Sequence, residues 1–182
     1  MSRIPLLTVE QAPAESQAVL RQVHQAFGGA TPNMFKAVSN SPAALKSMWA
    51  AFSALGQGRI DAQLGEQIAV AVADRNACEY CLAAHTALGR KAGLSSDVLR
   101  AAQQGEANDP RTAAALHFAL KLVNDRGQVS DADVQALRAV GFDDGHIVEI
   151  LAHVALNLFT NYVNVAFEVP VDFPAVPLSR RA

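Results

Sequence analysis

Apolar residues recur along this chain at spacings of three and four, the mark of amphipathic helices, while period-two stretches that would mark strands are scarce. Alanine and leucine, both strong helix formers, are plentiful. Three boundaries pair a capping residue with proline: Thr31-Pro32, Ser41-Pro42 and Asp109-Pro110. Each fits an N-cap followed by proline at the first helical position. Gly93 fits a helix stop, and Ser95 a restart two residues on. The pattern predicts helical segments at 14–27, 32–37 (a short turn), 42–55, 62–74, 77–92, 96–104, 110–125, 131–140 and 144–168. The expected architecture is all-α: one helical domain over residues 1–182, with an extended segment at about 1–13 and a proline-containing tail at about 169–182.

The last long segment is apolar on more than one face. One stripe runs Ile147, Ile150, Leu151, Val154, Leu158, Tyr162, Val165, and a second runs Leu156, Phe159, Val163, Phe167. A helix apolar all round is buried, and in a small domain the second face calls for another subunit. Homo-oligomerisation is therefore expected. His153, Asn157, Asn161, Asn164 and Glu168 interrupt the run, so it reads as a buried helix and not a membrane span. The start of the chain is too short and too little charged for a signal peptide. Trp49, Phe52, Phe118 and Phe159 sit at helical spacings and read as core.

Of the 182 residues, 15 are basic and 17 acidic, a net charge of −2, which leaves no electrostatic footprint for nucleic acid or an anionic membrane. The only two cysteines are Cys78 and Cys81. A pair so close in sequence is no secreted disulfide framework; it is a redox pair or part of a metal site, and the expected compartment is the cytoplasm. Asn76 followed by Glu79 has the capping-box pattern, which places Cys78 in the first turn of a helix, where amides and dipole favour a thiolate. Cys81 follows one turn on and His85 four residues later, all three within about a 60° sector. If residues 74–76 form the corner of an antiparallel helix pair, Glu66 and His85 are equidistant from it and face each other. A carboxylate on an imidazole beside two thiols makes a proton relay. Structural zinc normally takes four ligands, and no second cysteine pair is present, although His85 with Glu66 or another histidine would make up the number. His146 and His153 lie seven apart on one helix face and lack a third neighbour. A thioredoxin fold is disfavoured because the βαβ context is missing.

At these residues the chain resembles the alkylhydroperoxidase D (AhpD)-like branch of the carboxymuconolactone decarboxylase superfamily. The resemblance rests on Glu66, then Cys78-Glu-Tyr-Cys81, then His85 on a helical hairpin. It is strongest over residues 60–93. The stretch Asn157-Leu-Phe-Thr-Asn-Tyr-Val-Asn164 and the Val-Asp-Phe-Pro tail look like a peroxidase-related subgroup. The resemblance implies an AhpD-like helical bundle and a thiol peroxidase. Cys81 would attack a hydroperoxide and Cys78 would close a disulfide with it. Glu66 and His85 would relay protons, and a dithiol or disulfide-reductase donor would restore the pair. It implies no cofactor and no metal, and trimers or hexamers with the site near a subunit interface. Tyr80 stands where the best-known members carry histidine. A phenol hydrogen-bonds a substrate or water but does not carry charge at neutral pH, which makes Tyr80 a candidate substrate contact. The helix terminus favours Cys78 as the thiolate, whereas the resemblance assigns attack to Cys81, which His85 would have to activate. Alternatives on the same scaffold are a thiol–disulfide oxidoreductase or redox sensor, a decarboxylase-type enzyme, and a metal-binding module.

Overall fold

Helix α4 (Ala62–Arg75) is the element around which the others pack, and the structure, a computed structural model describing residues 2–179, shows why. Its residues from Ile68 to Ala73 are buried without a break, and Ala69, Ala71 and Ala73 among them are small enough for neighbours to approach closely. α4 packs on α5 (Glu79–Lys91), α6 (Ser96–Gln103), α7 (Pro110–Asn124) and α9 (Asp144–Ala166). Around this centre, α1 (Ala14–Ala26) lies on α3 (Pro42–Leu55), α2 (Asn33–Val38) bridges α3 and α9, and α8 (Asp131–Ala139) rests on α7 and α9. No strand forms among the described residues, and no helix there is long and apolar enough to cross a membrane. The all-α expectation holds, with helix ends within three residues of the predicted ones. The predicted terminal segments fall partly outside the described residues, at Met1 and at 180–182.

Two of the three proline boundaries form as expected. Ser41 Oγ accepts the Ala44 N–H, and Asp109 accepts the Thr112 N–H. The third differs. α2 begins at Asn33 with Pro32 at its N-cap, and the carboxylate of Asp172, from the C-terminal tail, accepts the Asn33 N–H at 2.8 Å. A distant residue thus replaces the local cap. The tail also runs back over α4, where Ser179 bonds to the Asp74 carboxylate.

The α4–α5 corner departs from the sequence reading. Asn76 ends α4 and does not cap α5. Ala77 takes a left-handed conformation (φ +51°), its N–H bonds to Asp74 O at 3.0 Å, and the Cys78 N–H reaches back to Ala73 O at 2.9 Å. These are the two bonds of a Schellman motif, normally built on glycine. Cys78 is then the N-cap of α5, and its sulfur accepts the Cys81 N–H at 3.3 Å.

α9 also sorts its faces differently from the two predicted stripes. Ile150, Val154, Leu156 and Val163 are buried, and so are Asn157, Thr160, Asn161 and Asn164. Val148, Leu151, Phe159, Tyr162, Val165 and Phe167 are exposed, Tyr162 to 61%. Of the polar residues that interrupt the run in sequence, Asn161 and Asn164 point inward to the α4–α5 corner, whereas Glu168 is exposed and pairs with Arg3. Phe118 is core as expected; Trp49 and Phe52 are only partly buried.

A left-handed alanine costs about 1–2 kcal/mol, and a β-branched residue is worse placed there. Ala77→Val is expected to destabilise the reduced protein by about 1–2 kcal/mol in urea unfolding, while Ala77→Gly leaves stability equal or higher. Equal destabilisation by both substitutions would contradict the strain at this corner.

Candidate active site

The corner places the cysteines on successive parts of one turn. Cys78 caps α5 and Cys81 is its third residue; both are free thiols, 1% and 2% exposed. His85 follows one turn on, and its Nδ1 lies 2.8 Å from Glu66 Oε2 on α4. The opposition of Glu66 and His85 across the corner is therefore as the spacing predicts. The pair is sheltered, with side chains 13% and 21% exposed for His85 and Glu66.

The environment separates the two thiols. Burial pushes the Cys81 thiol up. The Cys78 hydrogen bond, the His85 charge and the carboxamides of Asn164 and Asn161 outweigh it and bring the thiol down to about 7. Cys78 is pushed well above the ordinary thiol range, by its hydrogen bond with Cys81 and then by burial. The helix-terminal amides of Tyr80 and Cys81 do act to lower the Cys78 thiol, but its bond with the Cys81 side chain and its burial outweigh them. Burial also works against an imidazolium at His85, but the charge of Glu66 and its hydrogen bond prevail and hold that pKa above the usual value.

Cys81, His85 and Glu66 open onto one cavity of about 160 Å³. Its far walls are apolar: Phe27, Phe35, Trp49 and Phe52 on one side, Met34 and Phe173 on others. Phe35 is the hub of the aromatic wall, with Trp49 edge-on at 5.8 Å and Phe52 at 6.0 Å. Phe173, from the tail, stands edge-on to Tyr80 at 5.7 Å. The Tyr80 ring lines the cavity, and its hydroxyl accepts the Met34 N–H at 3.2 Å. Burial pushes the phenol up, so it stays neutral. Cys78 does not line this cavity. It faces a separate open groove beside Glu79, Val169 and Pro170.

Sequence reasoning missed the aromatic wall and two asparagines. Asn164 Nδ2 lies 3.1 Å from Cys81 Sγ, and Asn161 Oδ1 accepts from Asn76 Nδ2 at 2.8 Å. The available signal was a row of asparagines at helical spacing in an otherwise apolar helix. Among the described residues no group of three or more His, Cys, Asp or Glu side chains is arranged to hold a metal ion. His146 bonds to Asp143, and His153 lies against Gly65.

The carboxymuconolactone decarboxylase family model matches residues 42–125, the span holding the corner and both cysteines. That match, over just under half of the chain, and the likeness to the AhpD-like structures support assignment to the AhpD-like branch of the carboxymuconolactone decarboxylase superfamily. A peroxidase-related protein from Ralstonia eutropha JMP134, described as an alkylhydroperoxidase AhpD core, superposes with a TM-score of 0.84. It is 27% identical over 94% of this chain and 92% of its own. A peroxidase-related protein from Silicibacter sp. TM1040 is 26% identical, with a TM-score of 0.79 over 96% of this chain and 92% of its own. The debrominase Bmp8, solved with 2,3,4-tribromopyrrole, shares the fold at 20% identity and a TM-score of 0.77, over 94% of each chain. No curated protein matches. The superfamily and this fold hold enzymes of more than one activity.

The folded-state pKa of His85 lies above its unfolded value of about 6.5, so the Glu66–His85 pair stabilises fully below that pH and loses this contribution as pH rises through the folded value. Glu66→Gln is expected to lower the His85 titration midpoint in imidazole NMR. The stability gap between wild type and variant should narrow as pH rises through the folded value. An unmoved midpoint would mean that Glu66 does not hold the imidazolium.

Proposed function

We propose that the protein is a thiol-dependent peroxidase that reduces organic hydroperoxides through a Cys78–Cys81 disulfide. The observation that carries this reading is the Cys81 sulfur, its thiol brought down to about 7, at the wall of a mostly apolar cavity with a second thiol behind it. The Cys81 thiolate attacks the terminal peroxide oxygen. An S–O bond forms, the O–O bond breaks, and the alkoxide takes a proton from the His85 imidazolium, leaving the alcohol and a sulfenic acid. Glu66 holds the imidazole in place and favours its protonated form before the transfer. The Cys78 sulfur then attacks the Cys81 sulfur, the proton of Cys78 leaves with the sulfenic hydroxyl as water, and a disulfide remains. A dithiol donor reduces it by two exchanges and is itself oxidised.

The cavity argues for an organic substrate. An apolar cavity of about 150 Å³ takes a benzene ring, so a volume of about 160 Å³ fits one ring or a short branched alkyl group. Hydrogen peroxide gains nothing from the aromatic wall. Tyr80 contributes to the substrate wall; its hydroxyl is already held by α2. Burial of both thiols disfavours a protein disulfide as the oxidant, since a folded partner does not reach a sulfur 2% exposed. Such a dithiol belongs in a reducing compartment, and we assign the protein to the cytoplasm. The exposed stripe Val148, Leu151, Phe159 and Tyr162 on α9 supports association into trimers or hexamers.

In stopped-flow assays of the reduced protein, cumene hydroperoxide is expected to react at least about tenfold faster than hydrogen peroxide, with Trp49→Ala narrowing the difference. Cys81→Ser should abolish the reaction. Cys78→Ser should leave a Cys81 sulfenate that a dimedone probe traps. A sulfenate on Cys78 alone would reverse the assignment. No reaction with either peroxide, but release of bromide from 2,3,4-tribromopyrrole, would replace peroxide reduction by dehalogenation. Sedimentation at micromolar concentration is expected to give a trimer or larger, and a particle of single-chain mass would exclude it.

A further inference from the structure

We propose that the side chains of Asn161 and Asn164 form a carboxamide clamp on Cys81 Sγ that holds this sulfur as the thiolate. The inference rests on the peroxidase reading for its purpose and on geometry for its substance. Both asparagines are buried, Asn161 fully and Asn164 to within 3% of full burial, on the face of α9 that meets the α4–α5 corner. Buried carboxamides ordinarily have their polar atoms bonded, because leaving one bare costs about 1–3 kcal/mol. Here Asn161 Nδ2 and Asn164 Oδ1 have no partner.

The bonds that are made define the arrangement. Asn164 Nδ2 donates to Cys81 Sγ at 3.1 Å. Asn161 has its oxygen occupied by Asn76 Nδ2, which leaves its own N–H groups free on the other side of the carboxamide. Both carboxamides act to lower the Cys81 thiol. A neutral thiol is a weak acceptor with a proton of its own, and it is a poor match for several donors. A thiolate has three lone pairs and no proton. Two amide donors from α9, together with the thiol proton of Cys78, therefore fit the anion better than the acid. Hydrogen bonds to an ionised acceptor are roughly twice as strong as neutral ones, and more so away from water.

The titratable groups facing this sulfur are few. From α5 and its cap come Cys78, Tyr80 and His85, and behind His85 stands Glu66 of α4. From α9 come the neutral Asn161 and Asn164, with Thr160 at the cavity wall. α2 contributes Met34 and Phe35, and the tail contributes Phe173. Only His85 supplies positive charge among them, so the Cys78 hydrogen bond and the carboxamides are the neutral supports for the anion. Asn76, which touches Asn161 and not the sulfur, is a positioning residue.

The test is the pH profile of Cys81 alkylation by iodoacetamide in the reduced protein, read by mass spectrometry of the Cys81 peptide. Wild type is expected to show a midpoint of about 7. Asn161→Leu and Asn164→Leu should each raise it by about one pH unit, slowing alkylation at pH 6 about tenfold. Asn164→Asp, which keeps the size and polarity, should raise it at least as far and serves if the leucine variants fail to fold. Asn157→Leu is the control. That asparagine is buried on the same helix, but its side chain bonds only to His153 O. A midpoint unchanged in the Asn161 and Asn164 variants, or moved equally by the control, would overturn the clamp. No peroxide enters the assay. Moved midpoints in a protein that turns over no peroxide would leave the clamp standing and remove the peroxidase reading. Unmoved midpoints in an active peroxidase would do the reverse.

Discussion

The left-handed turn at Ala77 sets the rest of the site. It closes α4 with two backbone bonds and leaves only residues 76–78 between the two helices. A corner this tight fixes the rotation of one helix against the other. That rotation brings Glu66 opposite His85 and turns Cys81 inward. A longer connection would let α5 roll, and each of these relations depends on its azimuth. The strain of placing alanine where glycine is usual is local, and it is held by the surrounding packing of α4.

Two chemically identical side chains acquire opposite roles from this corner. One sulfur ends a helix and accepts an amide proton, and the other, three residues on, meets an imidazole and two carboxamides. Their outlooks differ as well: Cys81 borders the aromatic cavity, and Cys78 borders an open groove on the other side of the turn. In the proposed reaction a hydroperoxide and a reductant would thus have separate ways to the same pair of atoms. Phe173 and Asp172 tie the tail into this arrangement, one as a wall of the cavity and the other as the cap of the helix that carries Met34 and Phe35.

Most of the helices, and the pairing of Glu66 with His85, were legible because they follow from short-range rules. Apolar periodicity, cap residues beside proline and equal distance from a corner are all properties of nearby positions. The cap at Cys78 was not legible: Asn76-x-x-Glu79 has the pattern of a capping box, and nothing in the letters distinguishes an alanine that will turn left-handed from one that will not. The contact of the α9 asparagines with the cysteine turn was not legible for a related reason. Hydropathy ranks them as surface residues, and only the presence of a sulfur and of Asn76 across the interface makes burial favourable. The aromatic cavity is a tertiary product of α1, α2, α3 and the tail. Trp49 and Phe52 have core spacing, and their role as a wall arises from what does not fill the space beside them.

The capping bond of Cys78 links the oxidation state of the pair to the helix it begins. As a thiol, Cys78 completes the first turn of α5 by accepting the Cys81 N–H. Once its sulfur is joined to that of Cys81, it is a poorer acceptor and its position is dictated by the new bond. Whatever free energy the cap contributes therefore stabilises the dithiol over the disulfide, and the support given to the Cys81 anion acts in the same direction. A dithiol stabilised in its reduced form has a higher reduction potential, so the disulfide is the more strongly oxidising partner of the couple. In the proposed cycle the end of a helix would thus serve as a redox bias set by backbone geometry.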